Sequence, residues 1–97
     1  MAVRLVVNFR AVPGKGAELA AAYKGRCEEV AKEPGCEQFE VFQSAVDPDN
    51  IVLLERWTSQ HDLDVHAGVN KTRPPLRPEL RADGAGGRED YTYNRTR

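Results

Sequence analysis

Trp57, His61 and His66 crowd into one short stretch, VLLERWTSQHDLDVHAG, and are the chain's single tryptophan and its two histidines. Histidine exchanges a proton near neutral pH and indole offers a flat apolar face. The three therefore suit the wall and mouth of a ligand pocket. Asn8 is a fourth candidate. It interrupts a strand-like segment although asparagine is poor in strands, so a polar side chain there needs a reason. Plainer readings stand beside these. Trp57 suits a core anchor, His61 an exposed residue in the first turn of a helix, and Asn8 a partner for a neighbouring strand or loop.

The elements that must position these residues can be read from periodicity. Val3, Leu5, Val7 and Phe9 alternate with Arg4, Val6, Asn8 and Arg10, which predicts a strand ended by Pro13-Gly14. Leu19, Tyr23, Cys27 and Val30, with Ala20 and Ala31, predict one helix over 16–33 that Pro34-Gly35 stops. Gly25 within it implies close packing against the sheet, since glycine costs a helix about 1 kcal/mol relative to alanine. CEQFEVFQ and IVLLERW alternate as two strands, joined as a hairpin by Asp47-Pro48-Asp49-Asn50. Ser59 with Asp62 three residues on predicts the start of a second helix, which Gly68 closes. Residues 69–88 hold too many prolines and glycines for a long helix and are expected to be an irregular loop, with one short turn near Pro78 at most. A last strand is expected at 89–94.

Strand, helix, strand, strand, helix, loop, strand is the order of an α+β, ferredoxin-like split β-α-β domain with an antiparallel sheet and helices on one face. The other face needs cover, and a second copy of the chain would supply it. A chain of 97 residues makes a single domain, 1–97, and buries only about 60–65% of its unfolded surface. The net charge of −1 gives no basic footprint for nucleic acid. The arginines of the last third alternate with acids and read as a solvated surface, while Glu40 and Glu55 are expected at a dimer interface, paired with arginines. Absence of a membrane-length apolar run, and a start too short and alternating for a signal peptide, point to a cytoplasmic protein. Cys27 and Cys36 lack metal-ligand spacing and read as small buried thiols, a disulfide or catalytic thiol being the alternative. No phosphate loop, zinc pattern or serine elbow is present, so no metal or cofactor site is expected.

Four stretches resemble one known family: Pro13-Gly14-Lys15; Glu33-Pro34-Gly35-Cys36 with Phe39-Glu40-Val41-Phe42-Gln43; Asp47-Pro48; and Leu54-Glu55-Arg56-Trp57 with Leu63 and His66. Together they are similar to the antibiotic biosynthesis monooxygenases of the dimeric α+β barrel superfamily, most strongly over residues 3–68. The resemblance implies a homodimer whose two sheets face each other as a barrel, with a pocket between sheet and helices in each subunit. It also implies cofactor-free oxidation of anthrone- or quinol-type aromatics by molecular oxygen. Trp57 matches a tryptophan lining that pocket, Asn8 a first-strand asparagine that binds substrate oxygen, and His66 a helix residue facing the pocket. The chain departs from the pattern after His66. No later histidine exists, so the axial ligand of the haem-degrading relatives is missing. Such chemistry asks for aromatic walls and a few donors. Asn8, Trp57 and His66 are therefore expected to be catalytic, and Phe42, Tyr23 and His61 to bind substrate. The alternative is a non-oxygenase barrel that binds or isomerises a small molecule or supports a partner enzyme.

Overall fold

Alternation along the first residues becomes β1 (Ala2–Ala11) in the computed structural model, which describes residues 2–93. Its odd-numbered residues Val3, Leu5, Phe9 and Ala11 are buried, whereas Asn8 between them is exposed. Then follow α1 (Gly16–Ala22), α2 (Lys24–Val30), β2 (Cys36–Gln43), β3 (Asn50–Trp57), α3 (Gln60–Asn70), a 3-10 turn at Pro78–Leu80 and β4 (Arg81–Tyr93). The strands form one antiparallel sheet in the order β2-β3-β1-β4, the expected ferredoxin-like α+β arrangement.

Register decides what shares a face. Val3 stands opposite Trp57, Leu5 opposite Glu55 and Phe9 opposite Ile51. That face packs with Leu19, Val30 and Leu63 from the helices into the core. The neighbouring set, Arg4, Val6, Asn8 and Arg10 with Val52, Leu54 and Arg56, lies on the other face. Phe42 joins it through its pairing with Val52, and Tyr91 through its pairing with Arg4. Phe42 and Tyr91 are large rings left 42% and 49% exposed among the described residues. Among the described residues no helix is long and apolar enough to cross a membrane.

Two turns hold the ends of these elements. Asp47 accepts from the Asp49 backbone N–H at 3.1 Å through its carboxylate and from that of Asn50 at 2.9 Å through its carbonyl, closing the expected hairpin turn. Asp49 in turn accepts from the N–H groups of Gly14 and Gly16 at 3.0 and 2.9 Å, which ties the hairpin to the start of α1. Gly35 connects α2 to β2 with φ +79°, and a β-carbon there would fall 2.2 Å from the Asp62 carboxylate. Only glycine fits.

Four sequence expectations are corrected. The helix expected over 16–33 is two helices. The Tyr23 N–H bonds to Ala20 O, three residues back, and this tighter turn breaks the run. Gly25 is exposed, and nothing lies within 4 Å of a β-carbon added to it, so close packing is not why it is there. Gly25→Ala is therefore expected to stabilise the fold by about 0.5–1 kcal/mol, read as a higher denaturant midpoint with unchanged m-value. α3 runs past Gly68 to Asn70, because the last-turn backbone bonds persist to Lys71 and tolerate one glycine. The last strand starts at Arg81, within the expected loop. β1 supplies its hydrogen-bonding partner, and a ladder outweighs the weak strand propensity of glycine. A register shift between Phe9 and Ala11 absorbs the extra residues, and Gly86 passes so close that a β-carbon would sit 2.8 Å from Asn8 O. The expected end of this strand at Asn94 lies outside the described residues.

Candidate active site

Ser59 caps α3 as expected: its hydroxyl oxygen accepts from the Asp62 N–H at 3.2 Å. Capping sets the rotation of the helix, and Leu63 and His66, three residues apart, turn inward and are buried. His66 Nδ1 lies 3.0 Å from Glu33 Oε1, with side chains 7% and 15% exposed. A carboxylate only accepts, so Nδ1 carries the proton and Nε2 is the basic nitrogen. Glu33 is itself gripped by Arg73, whose Nη2 donates to Oε2 at 2.7 Å while Nε donates to Glu29 at 3.0 Å. The result is a chain from guanidinium to carboxylate to imidazole, the arrangement that fixes tautomer and ring orientation in proton-transfer sites.

On its other side His66 packs on aromatic rings. Trp57 lies 4.7 Å away, tilted by 31°, and Phe39 meets it edge-on at 5.6 Å. Trp57 is fully buried and donates Nε1–H to Glu55 Oε1 at 3.0 Å. Glu55 is 6% exposed. Burial pushes its carboxyl above the usual range; the Trp57 donor, His66 and Arg88 pull the other way, in that order. Glu55 thus faces the helical layer, which corrects its expected place at a dimer interface: it follows Ile51 and Leu53 at two-residue spacing on the inward side of β3.

Between α3 and the β1, β3 and β4 strands opens a cavity of about 240 Å³. Leu5 and Leu63 form apolar wall, Glu55 and His66 present acid and base, Asp64 adds a second carboxylate, and positive charge comes from Lys71 and from Arg88, whose Nε and Nη2 donate to Asp90 at 2.7 and 3.0 Å. Such a site can take a proton from a small molecule and stabilise the resulting anion. Among the described residues no group of three or more His, Cys, Asp or Glu side chains is placed to hold a metal. The cysteines are free thiols. Desolvation raises both, Cys36 to about 11, which keeps them protonated and poor nucleophiles near neutral pH.

The six residues selected from the sequence divide. Trp57 and His66 come together, and His66 lines the cavity while Trp57 supports it from behind. Tyr23 is buried on the helical side against Phe9, ring centres 5.4 Å apart, and lines other hollows. Asn8 and Phe42 share a shallow hollow on the opposite face of the sheet. A single pocket holding Asn8 with Trp57 and His66 within one chain is therefore corrected, because the pleat sends neighbouring residues to opposite sides. His61 is exposed. Arg73, Lys71 and Arg88 were missed as functional residues, and Glu33 entered only as part of the Glu33-Pro34-Gly35-Cys36 stretch, with no role. Only Glu55 left a signal, as a carboxylate at the apolar phase of its strand.

A family model described as antibiotic biosynthesis monooxygenase matches residues 2–70. Among solved structures, a conserved protein from Methanosarcina mazei Go1 is 29% identical, with a TM-score of 0.82 over 97% of this chain and 94% of its own. Rv0793 from Mycobacterium tuberculosis is 23% identical, with a TM-score of 0.77 over 97% and 96%. A structure called antibiotic biosynthesis monooxygenase is 19% identical, with a TM-score of 0.77 over 95% and 98%. The last two carry the fold alone. Comparison with curated proteins gives no significant match.

Proposed function

The chain belongs to the antibiotic biosynthesis monooxygenase family, and from that premise we propose that it is a cofactor-independent monooxygenase oxidising a small aromatic of anthrone or quinol type. The observation that carries this reading is buried His66 at the wall of the cavity, paired behind it with half-buried Glu33. His66 Nε2 removes the acidic proton of the substrate, and Glu33 stabilises the imidazolium that forms. Lys71 and Arg88 stabilise the substrate anion, the role expected of Asn8. The electron-rich anion then reduces molecular oxygen. For an anthrone-type methylene the balance is CH2 plus O2 giving C=O plus water. The oxygen–oxygen bond breaks, one atom staying on carbon and the other leaving with both hydrogens.

The working unit is a cytoplasmic homodimer, in which the sheet face carrying Phe42, Val52, Leu54 and Tyr91 is covered by a second copy. Asn8 and Phe42 then face the partner and not the His66 cavity.

A second reading is favoured by Glu55. A base and a carboxyl pushed upward by burial, both lining one cavity, make an acid–base pair for isomerisation without oxygen. Oxygen uptake in metal-free buffer with a panel of anthrones and reduced naphthoquinols separates the two. The oxygenase reading expects uptake well above background that falls in Arg88→Gln by about 100-fold. No uptake above background, or equal rates in wild type and variant, sinks it. Oxygen-independent proton exchange on the same panel supports the isomerase.

A further inference from the structure

A second cavity, of about 260 Å³, lies on the far side of Asn70, which lines both. Arg26, Arg73 and Arg81 converge on it from α2, from the segment after α3 and from the start of β4. Among the described residues no carboxylate lines it. Glu29 and Glu33 hold Arg73 by Nε and Nη2, which leaves Nη1 buried with no hydrogen-bond partner. A buried donor without a partner is costly, and an arginine fork with one free arm suits an oxyanion. Arg26 spends Nη2 on the Pro74 carbonyl at 3.0 Å. The Arg81 guanidinium lies over the Phe9 ring, its central carbon 4.7 Å from the ring centre. Neither has an ion pair among the described residues. Buried Tyr23 lines the same cavity, and desolvation raises its hydroxyl against the pull of Arg81 and Arg26, so it stays a neutral donor. The remaining wall is apolar, with Pro74, Pro75, Leu76 and Pro78.

We propose that this cavity is an anion site that binds the carboxylate or phosphate of a small organic molecule, with Arg26, Arg73 and Arg81 on the oxygens and the proline-rich wall on the carbon skeleton. The volume exceeds what an inorganic oxyanion needs, and three guanidinium groups facing an apolar wall match an amphiphilic acid. The site goes beyond the oxidation proposed at His66 and uses none of the residues lining that cavity except Asn70.

Titration calorimetry at low ionic strength tests it, with inorganic phosphate, phenyl phosphate and benzoate as probes. Saturable binding to the wild type is expected, weakened about tenfold in Arg26→Gln and in Arg81→Gln and little changed in Lys32→Gln, an exposed position with the same charge change. Added salt weakens it. Binding of the phosphates alone assigns a phosphate ester, and of benzoate alone a carboxylate. Tighter binding of phenyl phosphate than of inorganic phosphate places the organic part on the proline wall. Far-ultraviolet melting of each variant confirms folding, and the two arginine variants serve as independent checks. Failure of all three probes to bind the wild type, or an equal loss in Lys32→Gln, overturns the proposal. Neither outcome bears on oxygen uptake.

Discussion

Replacing His66 with alanine is expected to lower turnover of a responsive aromatic substrate by about 100-fold or more, the usual contribution of a positioned general base. Glu33→Gln is expected to lose roughly tenfold, chiefly in kcat, because the ring keeps a hydrogen-bonding neighbour but loses the charge that stabilises its protonated form. Glu33→Asp should recover part of that loss if it still reaches Nδ1. A merely structural role for Glu33 would change stability and leave the imidazole tautomer alone. Nitrogen NMR of His66 tells these apart: the wild type should show a protonated Nδ1, and Glu33→Leu should lose that preference. A wild-type rate in His66→Ala would end the assignment of the base.

The second large effect is on the fold. Trp57→Ala removes a side chain with no exposed surface from the junction of β1, β3 and α3. Truncation of a buried aromatic costs about 3–5 kcal/mol, much of the 5–15 kcal/mol that holds a small domain together. The melting temperature should fall by more than about 12 °C. Trp57→Phe refills most of the volume but strips Glu55 of the one side-chain donor it has among the described residues. Combining it with Glu55→Leu should therefore cost less than the sum of the single changes. Strict additivity in that cycle would mean that the indole–carboxylate bond contributes nothing to stability.

Both predictions rest on residues of unequal visibility in the sequence. Trp57 and His66 stand out by type, and the capping pair Ser59 and Asp62 places His66 on a helix. Glu33 does not stand out. It sits in a turn beside Pro34-Gly35, 33 positions before its partner, and no local pattern encodes that distance. Arg73 and Arg88 are hidden for a related reason. The arginines of the last third look alike in sequence, and only their partners separate Arg73, clamped by two glutamates, from Arg77, paired on the surface with Glu18 and Glu79.

Two-residue and helical periodicities, the Asp47–Asn50 turn and the Ser59 cap by themselves determined the element order and hence the antiparallel ferredoxin-like sheet. Each is a local preference of backbone and solvent. Period-two alternation also separated Asn8 from its odd-numbered neighbours, although which set would meet the helices was decided by packing. Only the tertiary structure decided that Asn8 and His66 lie on opposite sides of the sheet. It also decided that a glycine-rich tail would pair with β1, and that Glu33 and Arg73 would reach His66. These are contacts between distant segments, set by sheet register and by the need to partner buried polar groups, and neither is a property of any short stretch of chain.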